Sequence, residues 1–223
     1  MKLLSIACAA ENTGGELMDQ QTFPAGVRSG ELYTFGENDD GQLGLGDREG
    51  RSRPTAVPRL GSVTRVGCGG QHTVALTESG EVWCFGGGSQ GQLGLGSRLL
   101  TAPTPQLLSL GQLRAREVAA GHCHSAVVTE DHQLLTFGDS RHGKLCTGDE
   151  ESNVFTPQPA SEVRHLHVAM VVLGGCQTMV LVERRPVSPG RRSPQQLIAN
   201  GLPPPSDDVH SSARQRRRER EVS

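Results

Sequence analysis

With 223 residues, the chain has room for one domain and a tail or for two small domains, not for a large multidomain enzyme. Its formal net charge of −2 excludes the strong basic bias of a nonspecific nucleic-acid binder, so nucleic acid is not an expected partner. That average conceals an acidic body, 13 basic against 20 acidic residues over 1–183, and a basic end, 9 against 4 over 184–223.

The 29 glycines and 13 prolines beside only 3% aromatics predict a turn-dense fold with few long helices. No apolar run reaches the roughly 18 residues of a membrane-spanning helix. At the N-terminus, Lys2 followed by Leu3 to Ala10 has the outline of a short signal peptide, with Ala7 and Ala9 near a cleavage point. A competing reading comes from Ile6 to Thr13, IACAAENT, which lines up with Val66 to Thr73 at an offset of 60. It predicts a degenerate partial repeat and an insertion over 1–29.

From Gly30 the chain repeats itself. GELYTFGENDDGQLGLG at 30–46 is echoed by GEVWCFGGGSQGQLGLG at 80–96 and by HQLLTFGDSRHGKLCTG at 132–148, offsets of 50 and 52. A second block keeps the same period: RVGCGGQHTVALTE from Arg65, EVAAGHCHSAVVTE from Glu117 and MVVLGGCQTMVLVE from Met170. Order, spacing and residue type agree at many positions together, which defines units at 30–79, 80–131 and 132–183. Within a unit, runs such as Thr73 to Thr77 and Glu81 to Phe85 are β-branched or aromatic and bounded by turns, as short strands are. Gly80 suits the tight hairpin between them. Glu130-Asp131-His132 fits positive φ less well, so a looser third hairpin is expected. Four short strands per fifty-residue unit, stacked around an axis, form the blades of a propeller. The expectation is an all-β fold: a partial β-propeller of about three four-stranded blades with a disordered C-terminal tail.

That tail, 184–223, is rich in Pro and Ser and lacks a hydrophobic period, which predicts disorder. Arg214, Arg216, Arg217, Arg218 and Arg220 make a candidate contact for an anionic partner or a nuclear-localisation patch, and Ser188 and Ser193, each before a proline, are candidate phosphorylation sites. The six cysteines, at 8, 68, 84, 123, 146 and 176, contain no C-x-x-C pair and predict reduced thiols. Cys68 and Cys84 read as packing residues.

Gly86, Gly88 and Gly91 satisfy G-x-G-x-x-G after a strand, and 87–91 satisfies G-x-S-x-G around Ser89. Neither implies a dinucleotide site or a hydrolase, because the equivalent positions hold Asn38 and Ser140, or Asp39 and Arg141. The following QLGLG also starts no helix. His122, Cys123 and His124 suggest zinc by composition, but strand alternation would send Cys123 to the opposite face from both histidines. His124 matches His72, and a repeated structural hydrogen bond from a ring nitrogen to a loop carbonyl is the expected role. His165 and His167 share a face without a third ligand in view. Asp39, Asp40, Asp139 and Asp149 gather in loops, where Asp is favoured for local backbone bonding, and an acidic loop face suits a basic partner.

These units resemble the regulator of chromosome condensation repeat family, whose pattern joins G-x-[LV]-x-x-[FW]-G-x-N-x-x-G-Q-L-G-L-G to C-G-x-x-H-[ST]. Gly36, Gly41, Gly44, Gly46, Gly69 and His72 fit it, and Gly86, Gly91, Gly94, Gly96, Gly121, His124, Gly138 and Gly143 continue the signature. Residues 136–145 and 173–178 resemble the GTPase-regulator branch. Two departures stand out: Cys146-Thr147 replaces Gly-Leu, and Gln177 stands where His72 and His124 stand in their units. The family closes seven blades, about 350 residues at this period. Three units and a remnant therefore predict a truncated product, a partial sequence or an oligomer joined through open blade edges.

The resemblance implies a noncatalytic interaction module with no cofactor or metal, located in the cilium or cytoplasm, with the nucleus as alternative. Its implied partners are a small GTPase and ciliary transport or scaffold proteins. Guanine-nucleotide exchange and a nonfunctional or dominant-negative fragment are the alternatives.

Overall fold

A computed structural model describes residues 30–183. Within them the chain is almost entirely strand: β1 (Tyr33–Gly36), β2 (Arg51–Ala56), β3 (Val63–Cys68), β4 (His72–Thr77), β5 (Val82–Gly87), β6 (Thr101–Leu107), β7 (Ala115–Ala120), β8 (His124–Thr129), β9 (Leu134–Gly138), β10 (Val154–Pro159), β11 (Val168–Leu173) and β12 (Thr178–Val182). They form two four-stranded antiparallel sheets, β3-β4-β5-β6 and β7-β8-β9-β10, flanked by two-stranded sheets β1-β2 and β11-β12. No helix of the described residues is long and apolar enough to cross a membrane.

The sequence repeat and the sheet are out of phase. Each repeat supplies the outer two strands of one blade and the inner two of the next. The described residues thus hold an outer half-blade, two complete blades and an inner half-blade, together the equivalent of three. β7 lies against β3 and β11, so the first strands of successive sheets adjoin one another.

Side-chain burial follows from this stacking. β4 and β8 are buried at every position because neighbouring sheets cover both of their faces. Each junction has its own apolar cluster. Phe85 sits with Val63 and Ala75, Phe137 with Val74, Leu93 and Val118, and Val168 with Ala126, Val128 and Leu134. Among the described residues no sheet follows β11 and β12, and Met170, Val172, Met179 and Leu181 are exposed, Leu181 at 63%.

The third hairpin is not looser than its counterpart, contrary to expectation. His132 N–H donates to the Thr129 carbonyl at 2.9 Å and Thr129 N–H to the Gln133 carbonyl at 2.9 Å, matching the 3.0 and 2.9 Å bonds of the Gly80 turn. The turn is preserved because His132 itself adopts φ +63°, a left-handed conformation that costs a β-carbon-bearing residue about 1 kcal/mol.

Candidate functional site

The repeated glycines serve close approach between blades. A Cβ on Gly94, which has φ +68°, would lie 2.9 Å from the Phe137 ring. One on Gly44, at φ +73°, would lie 2.8 Å from Phe85. A Cβ on Gly69 or Gly121 would overlap the imidazole of His72 or His124, so these glycines clear the space each histidine fills.

Both histidines are buried at the start of a strand and act across the junction. His72 Nε2 is 2.8 Å from Ser125 Oγ of the next sheet, and that hydroxyl donates to the Gln92 carbonyl at 2.7 Å. His124 Nε2 is 3.2 Å from Thr178 Oγ1, which donates to the Lys144 carbonyl at 2.7 Å. Because each hydroxyl spends its proton on a carbonyl, each imidazole must donate from Nε2. The loop carbonyl is therefore held through a hydroxyl of the following blade, not by the ring directly as the sequence suggested. Burial, with the charges of His124 and His122 adding to it, pushes the His72 pKa down to about 3. Burial and the Lys144 ammonium push His124 down to about 4.

Beside this relay, the loop after the third strand is closed by a buried side chain. Gln42 Oε1 accepts the Asp40 N–H at 3.0 Å and Gln92 Oε1 the Gln90 N–H at 2.9 Å. In the last unit Lys144 replaces the glutamine, and its Nζ donates to Asp139 Oδ2 at 2.6 Å and to the Arg141 carbonyl at 3.1 Å. Asp139, whose counterparts are Glu37 and Gly87, also takes the Arg141 N–H at 3.1 Å. Hydrogen bonds from Arg141 and Lys144 hold its carboxyl well below the usual carboxylate range against the opposing effect of burial. In the sequence Asp139 is one loop carboxylate among several, and the buried ion pair is not evident from it alone. Its signal was present: both positions depart from the other repeats together.

Gly86 to Gly91 lead into turns rather than a helix, and Gly88 lies so close to Leu93 that a Cβ would meet Cδ1 at 2.6 Å. Ser89 is an exposed loop tip. His122 and Cys123 precede β8, so strand alternation does not separate them, and His122 Nδ1 lies 3.1 Å from Cys123 Sγ. Burial, reinforced by the Asp139 carboxylate, raises the Cys123 thiol pKa, and His124 turns away into its junction. Cys84 is buried and Cys68 half-buried, and Cys84, Cys123, Cys146 and Cys176 carry free thiols. His165 is exposed, whereas His167 gathers with His132 and Glu183, partners remote from the strand face it was expected to share with His165. The arginines at 214, 216, 217, 218 and 220, the serines at 188 and 193 and segment 1–29 lie outside the described residues.

His72 pairs with Gly86 across β4-β5, and His124 with Gly138 across β8-β9. This pairing puts the loops after the first and third strands of each blade at one end. Their tips, Glu37, Asp39, Gln71, Ser89, His122, Arg141 and His142, are exposed above the constant frame. The charge along this rim is graded, not uniformly acidic: Asp39 and Asp40 in the first unit, Ser89 and Gln90 in the second, Arg141 and His142 in the third.

The regulator of chromosome condensation (RCC1) repeat matches residues 29–76 and 79–128, and a second form of that repeat matches 63–92. The chain is 37% identical over 134 residues to the X-linked retinitis pigmentosa GTPase regulator of Canis lupus familiaris, covering 59% of this chain and 13% of that protein. It is 32% identical over 159 residues to the ultraviolet-B receptor UVR8 of Arabidopsis thaliana, covering 70% and 36%. Prp20p of Saccharomyces cerevisiae, solved in a study of its binding to Gsp1p and histones, superimposes with a TM-score of 0.65 at 18% identity, over 70% of this chain and 40% of that one. The chain thus spans well under half the length of these proteins.

Proposed function

Because the chain carries regulator of chromosome condensation repeats, we propose that it is a noncatalytic interaction module whose rim of loops binds protein partners. The observation that carries this reading is the contrast within one repeat. The glycine, histidine and glutamine positions are spent internally, while the tips at 39–40, 89–90 and 141–142 are exposed or half-buried and change chemistry from unit to unit. Loops presented by a rigid frame are where recognition concentrates.

Likeness to a GTPase regulator makes a small GTPase the first partner class, with ciliary transport or scaffold proteins beside it, in the cilium or cytoplasm. Arg214, Arg216, Arg217, Arg218 and Arg220 add an electrostatic contact. Self-association uses the edge of β12, which no other described strand pairs, and the apolar faces of β11 and β12.

The test is binding of the full chain to a panel of small GTPases in GDP, GTP and nucleotide-free forms, with release of a fluorescent nucleotide followed in parallel. The expected result is saturable binding, weakened by Asp39→Lys or Gln71→Lys, without faster release. Accelerated release would make the chain an exchange factor. Absence of binding by cooperatively folded protein would overturn the GTPase-partner reading.

A further inference from the structure

Every blade junction repeats the same pair of backbone bonds at the end opposite the rim. Val63 N–H donates to the Gly30 carbonyl at 2.8 Å and Glu78 N–H to the Ser62 carbonyl at 2.7 Å. Ala115 and Glu130 do the same with Gly80 and Arg114 at 3.0 and 2.9 Å, and Val168 and Glu183 with His132 and His167 at 3.2 and 2.9 Å. The fold therefore brings three residues together at each junction: Gly30, Ser62 and Glu78 in the first, Gly80, Arg114 and Glu130 in the second. Only the third holds three metal-ligating groups, His132, His167 and Glu183. One ligand atom from each of these lies within 4.8 Å of the other two.

Two features of this junction are unexplained by packing. His132 takes φ +63° where its counterparts are glycines at +87° and +80°, a strained position of the kind retained where a side chain is needed. His167 Nδ1 is buried without a hydrogen-bond partner and stands 3.7 Å from Glu183 Oε2. That separation is too long for a hydrogen bond. It is close to the roughly 3.3–3.6 Å between two ligands of one tetrahedral ion bound at about 2.0–2.2 Å.

We propose that His132, His167 and Glu183 form a divalent-cation site of the zinc class, which fastens β11-β12 to the second complete sheet. Two imidazoles and a carboxylate suit zinc, with water in the fourth position. His132 Nδ1 lies 3.1 Å from the Val168 carbonyl; donating there fixes the tautomer and leaves the Nε2 lone pair for the ion, the usual support of a ligating histidine. The rings of His132 and His167 are stacked, with centroids 3.6 Å apart and planes at 23°. Convergence on one ion takes a tilt about χ2, a broad torsion in histidine. Arg116 Nη1, 2.9 Å from both nitrogens of His132, competes for the site and swings aside, as an exposed arginine can. Glu183 comes from the far end of β12 and His132 from the β8-β9 hairpin, so the bound ion links two separate sheets.

The test uses the full chain, purified without a polyhistidine tag and stripped with chelator, and titrates it with Zn²⁺ by calorimetry and Co²⁺ by absorbance. One equivalent is expected to bind. Co²⁺ gives visible ligand-field bands without the near-ultraviolet thiolate band that Cys123 or Cys176 coordination would add. A hundredfold zinc excess over Kd raises Tm by about 5–10 °C. His132→Gly, which restores the residue used in the other two turns, weakens binding more than about tenfold without lowering the metal-free Tm. Glu183→Gln also weakens it, and Arg116→Ala tightens it. No saturable uptake up to millimolar zinc would overturn the proposal. So would a thiolate band, or undiminished uptake by both His132→Gly and Glu183→Gln.

Discussion

Acidification should weaken this fold well before its carboxylates titrate, because His72 and His124 are buried as neutral donors. An unfolded histidine titrates near 6.5, whereas here the two pKa values are pushed down to about 3 and about 4. Between those limits the unfolded chain binds more protons than the folded one, so stability falls as pH falls. The stability contributed by neutral burial is complete above about pH 6.5 and is lost progressively towards the folded values. At pH 4.5, two units below the unfolded value, each histidine removes about 2.7 kcal/mol, or about 5 kcal/mol together. That is comparable to the whole stability of many domains. Asp139 and Asp47, whose carboxyls are held low in the folded state, lose their contributions only below about pH 3.8 and leave this window to the histidines.

The assay is urea unfolding followed by the fluorescence of Trp83, half-buried in β5, at pH 7.5, 6.5, 5.5 and 4.5. His124→Gln places in the second complete blade the residue that the next unit carries at Gln177. It should reduce the proton uptake on unfolding near pH 5 from about two to about one. An unfolding free energy that stays flat from pH 7.5 to 4.5 would refute the reasoning. A His124→Gln slope equal to that of the unaltered chain would refute it for that site.

Gly94→Ala should destabilise by about 2–4 kcal/mol, combining strain at φ +68° with intrusion on Phe137, as a lower urea midpoint would report; a cost under 0.5 kcal/mol would mean that the junction yields freely. Lys144→Gln leaves the buried Asp139 carboxylate to the exposed Arg141 guanidinium alone and should cost about 1–3 kcal/mol, while Lys144→Gln with Asp139→Gly recreates the Gln92 and Gly87 arrangement and should recover most of it. Equal stabilities for the single and double variants in a mutant cycle would dismiss the pairing. Met179→Lys with Leu181→Lys charges the exposed face of β12 and should abolish any rise of the unfolding midpoint with protein concentration, a rise that should persist if association uses another surface.

The repeat, its strands and its turn glycines were legible in the linear sequence because they are set by local properties: β-branched alternation, turn chemistry and a period near fifty residues. Relations across a junction were not. His72 gave its type and its recurrence, yet its hydroxyl partner Ser125 is 53 positions away, and no local pattern pairs them. Asp139 has the sequence context of an ordinary turn aspartate, and only the fold buries Lys144 against it. The convergence of His132, His167 and Glu183 was equally hidden, since one comes from a hairpin and the others precede one strand and follow the next of a separate two-stranded sheet. By itself the sequence determined a stack of like β units, since strand and turn preferences act between near neighbours. Only the tertiary structure decided the blade phase, the proton-sensitive relay and the unmatched third junction, because stacking brings together side chains about fifty residues apart.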